Sequence, residues 1–106
     1  MTIDEFQQAD LRIGQITTAE RIEGSDKLLK LSVAFAEEQR QIVAGIGKVY
    51  EPEALIGRQL LFIANLEPRT MMGVESQGML LAASDEAGSP VILVPEKTVP
   101  PGVRIK

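Results

Sequence analysis

The sequence predicts an all-β domain, a small barrel of short strands. Three observations lead there. Short apolar runs recur along the 106 residues, and each is ended by Gly, Pro, Asn or Asp. One of them alternates strictly, with Leu29, Leu31, Val33 and Phe35 on one side and Lys30, Ser32 and Ala34 on the other. Only two stretches read as helical, and both are brief.

The elements follow in order. Thr2 with Glu5 three residues later forms a capping box, and Ile3, Phe6 and Ala9 recur at helical spacing, so a short helix is expected from Ile3 to Ala9. Leu11-Arg12-Ile13 begins a strand. Gly14 interrupts it, as glycine does at a bulge or bend, and the run resumes from Ile16 to Ile22. Gly24-Ser25-Asp26 is a turn. The alternating strand 29–35 follows, then a polar connection at Glu37-Glu38-Gln39 and a hairpin partner from Arg40 to Ala44, broken by Gly45 and Gly47. Pro52 to Gly57 reads as one helical turn, with proline near its start and glycine just past its end. Further strands are expected at Leu60–Ala64, Met79–Ala83, Val91–Val94 and Val103–Ile105. A long bent first strand, a mid-chain helical turn and a small terminal helix fit a five-stranded OB-fold barrel with extra C-terminal strands. A small sandwich or an SH3-like barrel is the alternative. Neither repeats nor linkers divide the chain, so residues 1–106 are read as one domain.

Composition removes most chemistry. With no cysteine and no histidine, thiol catalysis, disulfides, Cys or His metal sites and the commonest general base are all missing. No cofactor and no metal is expected. Gly45-Ile46-Gly47-Lys48 fails as a phosphate loop, because Ile42 and Val49 stand where Gly and Ser or Thr are required. Gly73-Val74-Glu75-Ser76-Gln77-Gly78 fails as a nucleophile elbow by one residue, and no base exists to activate Ser76. The pairs Glu37-Glu38 and Asp85-Glu86 fall on turns, where charge is normally solvated. An enzyme is therefore not expected. No apolar run approaches the roughly 20 residues of a membrane span, and the N-terminus lacks a basic and an apolar signal region, which points to the cytoplasm.

The residues from Ala64 to Met79 are the most informative. They break one apolar run, Leu60–Ile63, and re-enter another, Leu80–Ala83. Between lie Asn65, Pro68, Arg69, Met71, Met72 and Ser76. Such a mixture suits a contact surface of polar and soft apolar character. Formal net charge is −4, yet residues 21–73 carry seven basic and seven acidic side chains. Any anionic partner must therefore be held by a local cluster rather than a broad field. Lys27 and Lys30 on or before the second strand, Arg40 on its neighbour and Arg69 from the long loop would make such a cluster, on the face that OB-folds commonly offer to nucleic acid. On spacing alone, surface solubility accounts for the same cations more simply.

The chain resembles the tRNA-binding domain found at the C-terminus of many bacterial methionyl-tRNA synthetases and as a small free-standing bacterial protein. The matching segments are Asp10–Gly14, Ser25–Leu31, Gln41–Ile46, Ala64–Arg69 and Met72–Ala82. The resemblance implies an OB-fold, homodimerisation and recognition of the outer corner of folded tRNA with little dependence on sequence. Within a synthetase it implies an auxiliary module that raises tRNA affinity without aminoacylation. It places Lys27, Lys30, Arg40, Asn65, Arg69, Ser76 and Met79 on or near the tRNA surface. The family also has a secretion-related chaperone branch; Lys27–Lys30 and Glu75–Met79 favour the tRNA-binding one. An initial Met favours a free-standing chain, although a domain cut from a longer synthetase begins the same way.

Residue chemistry adds a mode of recognition. Single-strand binders stack bases on exposed rings. Phe6, Phe35 and Phe62 fall on apolar faces, leaving only Tyr50 to be exposed. A folded RNA read through phosphates and riboses fits better. Lys27, Lys30 and Arg69 would meet phosphates, Asn65 and Ser76 would donate or accept hydrogen bonds, and Met79 with Met72 would give adaptable apolar contact. Few neutralised phosphates mean modest affinity and a shallow salt slope. The dimer contact is expected from the N-terminal helix and residues 91–106. The competing readings are a protein-binding chaperone or synthetase-assembly adaptor on the same barrel and, more remotely, a small hydrolase.

Overall fold

The computed structural model describes all residues, Met1 to Lys106. In chain order the elements are α1 (Ile3–Gln7), β1 (Leu11–Arg21), β2 (Leu29–Phe35), β3 (Glu38–Ala44), α2 (Pro52–Leu55), β4 (Gln59–Ile63), β5 (Arg69–Met71), β6 (Val74–Ser76), β7 (Met79–Leu80), β8 (Ala82–Ser84) and β9 (Pro90–Ile92). The main sheet is antiparallel and ordered β3-β2-β1-β4-β7. It curls into an OB-like barrel with α2 against β1.

Strict alternation on β2 does what the sequence promises. Leu29, Leu31, Val33 and Phe35 are all buried, and they pack with Ile16, Ile42, Leu55, Leu60 and Phe62 as one core. Phe35 and Phe62 meet edge to face with centroids 5.5 Å apart. The capping box at Thr2 forms: Thr2 Oγ1 accepts from the Glu5 N–H (3.2 Å), and the Thr2 N–H donates to Glu5 Oε1 (2.8 Å). The Thr2 backbone N–H, assisted by the Thr2 hydroxyl, holds the Glu5 carboxyl below its ordinary range.

Gly14 has a different role from the one its position suggests. The register shift in β1 lies between Ile16 and Thr18, not at Gly14. A Cβ on Gly14 would lie 2.5 Å from Val33 Cγ1 and 2.8 Å from the Phe35 ring. The glycine therefore lets the core of β2 close onto β1; it does not bend the strand.

Other boundaries also move. α1 ends at Gln7, two residues short of Ala9. Residues 79–83 are not one strand: Met79–Leu80 pair with β4, whereas Ala82–Ser84 pair with β9 in a separate ribbon. The last strand over Val91–Val94 is observed as Pro90–Ile92, and Val103–Ile105 contributes a single bridge, Arg12 to Arg104. Even so, that C-terminal segment is firmly attached. Ile13 N–H donates to Val103 O (3.0 Å), Ile105 N–H to Leu11 O (2.8 Å), and the Gln59 amide takes both backbone groups of Val99. It covers the outer face of β1 and β4.

Asp10 anchors the two ends of the chain. Its carboxylate receives Arg12 Nε (2.9 Å) and Arg104 Nε (3.2 Å), and the Arg12 hydrogen bond, assisted by the charges of Arg12, Arg104 and Arg40, draws its pKa down.

Candidate nucleic-acid interface

Residues 65–78, read as a long loop, contain a β-hairpin. β5 and β6 pair as Arg69 with Ser76, Thr70 with Glu75 and Met71 with Val74. Met72 (φ 52°) and Gly73 (φ 77°) form the two-residue tip. Positive φ at both positions is the geometry that suits the twist of a tight hairpin. Methionine is an unusual occupant of the first of them, which is why the turn escapes a reading by composition.

The hairpin leans over the outer side of β3. Val43 lies on that outer side, opposite Lys30, yet is buried because the hairpin covers it. Leu66, Arg69, Met71, Ser76 and Met79 line a shallow crevice there. At the hairpin's far end Met72 reaches the connection between β1 and β2. A Cβ on Gly24 (φ 88°) would lie 3.1 Å from Met72 Cε, so glycine serves both the turn and the approach. Glu20, Glu23, Lys30, Met72 and Val74 surround an open recess of about 410 Å³ between the two elements.

The predicted residues fall into distinct positions. Lys27 is exposed on the β1–β2 connection. Its backbone is fixed, with its carbonyl accepting the Gly47 N–H at 2.7 Å and its N–H donating to Ser25 Oγ at 3.3 Å. Arg69 is exposed at the root of the hairpin. Neither takes part in any of the six intramolecular ion pairs. Met79 is 40% exposed beside Arg69, and Met72 and Leu66 expose 56% and 41%. Leu66, Arg69 and Met79 line the crevice together, and Met72 stands at the hairpin's other end, beside the β1–β2 connection that carries Lys27.

The other four occupy different settings. Lys30 is outward on β2 but pairs with Glu20 at 2.6 Å. Arg40 does not converge with it. Lys30 stands opposite Val43 and Arg40 opposite Val33, positions of opposite parity, so the two cations lie on opposite faces of the sheet. The Arg40 guanidinium lies 5.9 Å from the Phe35 ring centroid, pairs with Glu38, and donates to the carbonyls of Ala64 and Gln77. Asn65 is exposed, but its amide is already engaged: it accepts from the Asp10 N–H (2.9 Å) and donates to Gln8 O (2.6 Å), fastening the end of α1. Ser76 is 2% exposed; its hydroxyl accepts from the Val43 N–H (2.9 Å) and donates to Gly78 O (2.8 Å).

Tyr50 corrects the one expected exposed ring. It is partly buried against the core, and its hydroxyl accepts the Ile92 N–H at 3.1 Å. Phe35 and Phe62 are core residues and Phe6 is partly covered. The surface around the hairpin therefore offers methionine, leucine, lysine and arginine, with no aromatic ring to stack a base.

Sequence reasoning missed Gln41 and Gln77. Gln41 N–H donates to Gln77 Oε1 (3.0 Å), and Gln41 Nε2 donates to Glu75 O (2.8 Å). The available signal was the pairing geometry itself. Ser32, Lys30 and their partners Gln41 and Val43 define the outer side of the sheet, and a glutamine next to a buried valine there needs a cover.

An OB-like barrel whose first connection and inserted hairpin meet over an outward face defines a nucleic-acid-binding type of module. The chain belongs to the family described as putative tRNA binding domain, whose model matches residues 11–104. It is 57% identical over 103 residues to a methionine–tRNA ligase of Methanothrix thermoacetophila, covering 97% of this chain and 15% of that one. The chain spans about one sixth of the length of the curated relatives it matches. A crystal structure described as a MetRS related protein from Pyrococcus horikoshii superposes with a TM-score of 0.94 at 40% identity, covering 100% of this chain and 97% of that one. The chaperone CsaA from Bacillus anthracis str. Ames gives 0.90 at 34% identity, with 100% and 98% covered. This chain is thus a non-catalytic, auxiliary tRNA-binding domain.

Proposed function

We propose that the domain grips the outer corner of folded tRNA by its contour. Lys27 and Arg69 meet phosphates, and Met72, Met79 and Leu66 press on riboses or an unpaired base. Lys30 contributes a cation shared with Glu20. Asn65, Ser76 and Arg40 serve the same surface from within, through the intramolecular bonds each already makes. The observation that carries this reading is a hairpin that meets the β1–β2 connection at Met72, the two together exposing two unpaired cations and two methionines but no ring. A single-stranded ligand would lack the stacking that normally supplies its affinity.

A second surface supports homodimerisation. Ile3 is 67% exposed, Val94 50% and Leu93 38%, and an apolar groove lined by Leu93, Val94, Val103 and Ile105 runs over β1 and β4. Two such faces buried together would place two RNA surfaces in one particle and raise the effective affinity. Sedimentation should give twice the 11.5 kDa chain mass, and Val94→Asp should give a monomer. The module acts in the cytoplasm, free-standing or as the C-terminal part of a methionyl-tRNA synthetase.

Likeness to a chaperone structure favours a second reading, a protein-binding or synthetase-assembly adaptor. A gel-shift series separates the two. Intact tRNA should bind more tightly than the same RNA heat-unfolded, and more tightly than an unrelated duplex. Equal affinity for all three, or preference for unfolded polypeptide, would contradict the tRNA reading.

A further inference from the structure

The hairpin β5–β6 is a separate two-stranded sheet, not a continuation of the main one. Isolated hairpins of this kind are marginal in water. What fastens it to β3 is almost entirely side chain. Four of five hydrogen bonds across the seam use one: Val43 N–H to Ser76 Oγ, Gln41 N–H to Gln77 Oε1, Gln41 Nε2 to Glu75 O, and Arg40 to Gln77 O. The fifth, Gln77 N–H to Gln41 O (2.8 Å), is backbone to backbone.

Gln41 and Gln77 stand in for the missing strand ladder. The Gln77 side chain takes the acceptor place of a backbone carbonyl opposite Gln41, and the Gln41 side chain takes the donor place of an amide opposite Glu75. Both bonds lie at the solvent-exposed rim, whereas the Ser76 bonds are buried. Losing a rim bond frees groups that water can satisfy, so the barrel survives while the hairpin loosens. Arg69 and Met72 are carried by that hairpin.

We propose that Gln41 and Gln77 are positioning residues for RNA binding, and that they fix where Arg69 and Met72 stand without touching the ligand. The inference rests on the reading of the hairpin face as the tRNA surface. It departs from a direct-contact role in one respect: the glutamines act through Arg69.

The test is a double-mutant cycle on the full chain, with anisotropy titration of folded tRNA at several salt concentrations. Amide hydrogen exchange is measured on the same samples. Gln77→Met keeps the length and removes the acceptor. It should weaken binding about threefold to tenfold, the range of one hydrogen bond. Its salt slope should fall toward that of Arg69→Ala, and the Gln41 amide should exchange faster. In an Arg69→Ala background the same change should cost less than about twofold, because the group it positions is gone. Gln77→Glu retains an acceptor for the Gln41 N–H and should keep wild-type exchange protection of that amide. Gln41→Met, which removes the donor to Glu75 O, should weaken binding as Gln77→Met does but leave the residue-41 amide protected by Gln77 Oε1. An equal loss of affinity with and without Arg69 would overturn the inference in favour of direct contact. So would faster exchange in Gln77→Met with wild-type affinity. If the wild-type chain shows no preference for folded tRNA, the surface reading fails and this inference falls with it; in the other two outcomes the surface reading stands.

Discussion

Ser76→Ala should destabilise the fold far more than the loss of one small hydroxyl suggests. The Ser76 hydroxyl satisfies the Val43 N–H and the Gly78 carbonyl, and the residue is 2% exposed. Alanine leaves both backbone groups buried without a partner. Each unsatisfied group costs about 1–3 kcal/mol, and the hydroxyl's own desolvation is recovered, so a net loss of about 2–3 kcal/mol is expected. Against a total of about 5–15 kcal/mol for a domain, that lowers the melting temperature by roughly 8–20 °C. Urea unfolding at pH 7 measures it. Ser25→Ala is the control. Ser25 Oγ accepts from the N–H groups of Lys27 and Leu28, at sites that water reaches more easily, and its loss should cost about 1 kcal/mol or less. The same atom, with two hydrogen bonds, is deleted in both variants, and burial is the chief difference. If Ser76→Ala cost no more than Ser25→Ala, with the Val43 amide still protected from exchange, Ser76 would not be closing the barrel and the account of the seam would be wrong.

Gly14→Ala forces a methyl to within 2.5 Å of Val33 Cγ1, and overpacking of that kind should cost about 1–3 kcal/mol in urea unfolding; a neutral outcome would show that β2 yields easily. Asp10 titrates below its ordinary value because of Arg12, so its contribution exists above about pH 4 and is lost as pH falls through the lowered native pKa. Asp10→Asn should thus be less stable than wild type at pH 7, and the two acid-unfolding curves should converge once pH has fallen below the lowered native pKa. Lys27→Ala should reduce tRNA affinity and lower the salt slope by about one, whereas Lys30→Ala, whose ammonium is shared with Glu20, should lower it by less. Equal slopes for the two variants would show that the Glu20 pair opens on binding.

The sequence makes the core legible because one strand alternates without error. Leu29 to Phe35 fixes the inner face of β2, and the pairing of β1 and β3 beside it follows. The capping box at Thr2 and the Pro52–Gly57 turn are equally plain, since each is a local pattern with a local cause. What resists reading is where a residue serves a partner distant in the chain. Gly14 looks like a bend in its own strand, but its reason is a ring on another. Met72-Gly73 lacks the usual asparagine or aspartate of a tight hairpin, so the hairpin hides among loop-like residues. Arg40 opens the strand that pairs beside Lys30, but strand parity sends it to the opposite face. Ser76 and Asn65 read as free hydrogen-bonding groups because nothing in the neighbouring residues reveals that Val43, Gly78, Gln8 and Asp10 already use them. The proposed surface was thus visible as a region, from Ala64 to Met79 with Lys27, and the division between its free side chains and those already hydrogen-bonded within the fold was not.

Backbone amide shifts of the labelled chain, followed as folded tRNA is added, test the central claim most directly. Perturbations should gather at residues 23–30 and 66–79, the β1–β2 connection and the hairpin, and should weaken sharply when the RNA is unfolded. Perturbations concentrated instead on Pro90–Lys106, or identical for folded and unfolded RNA, would contradict it.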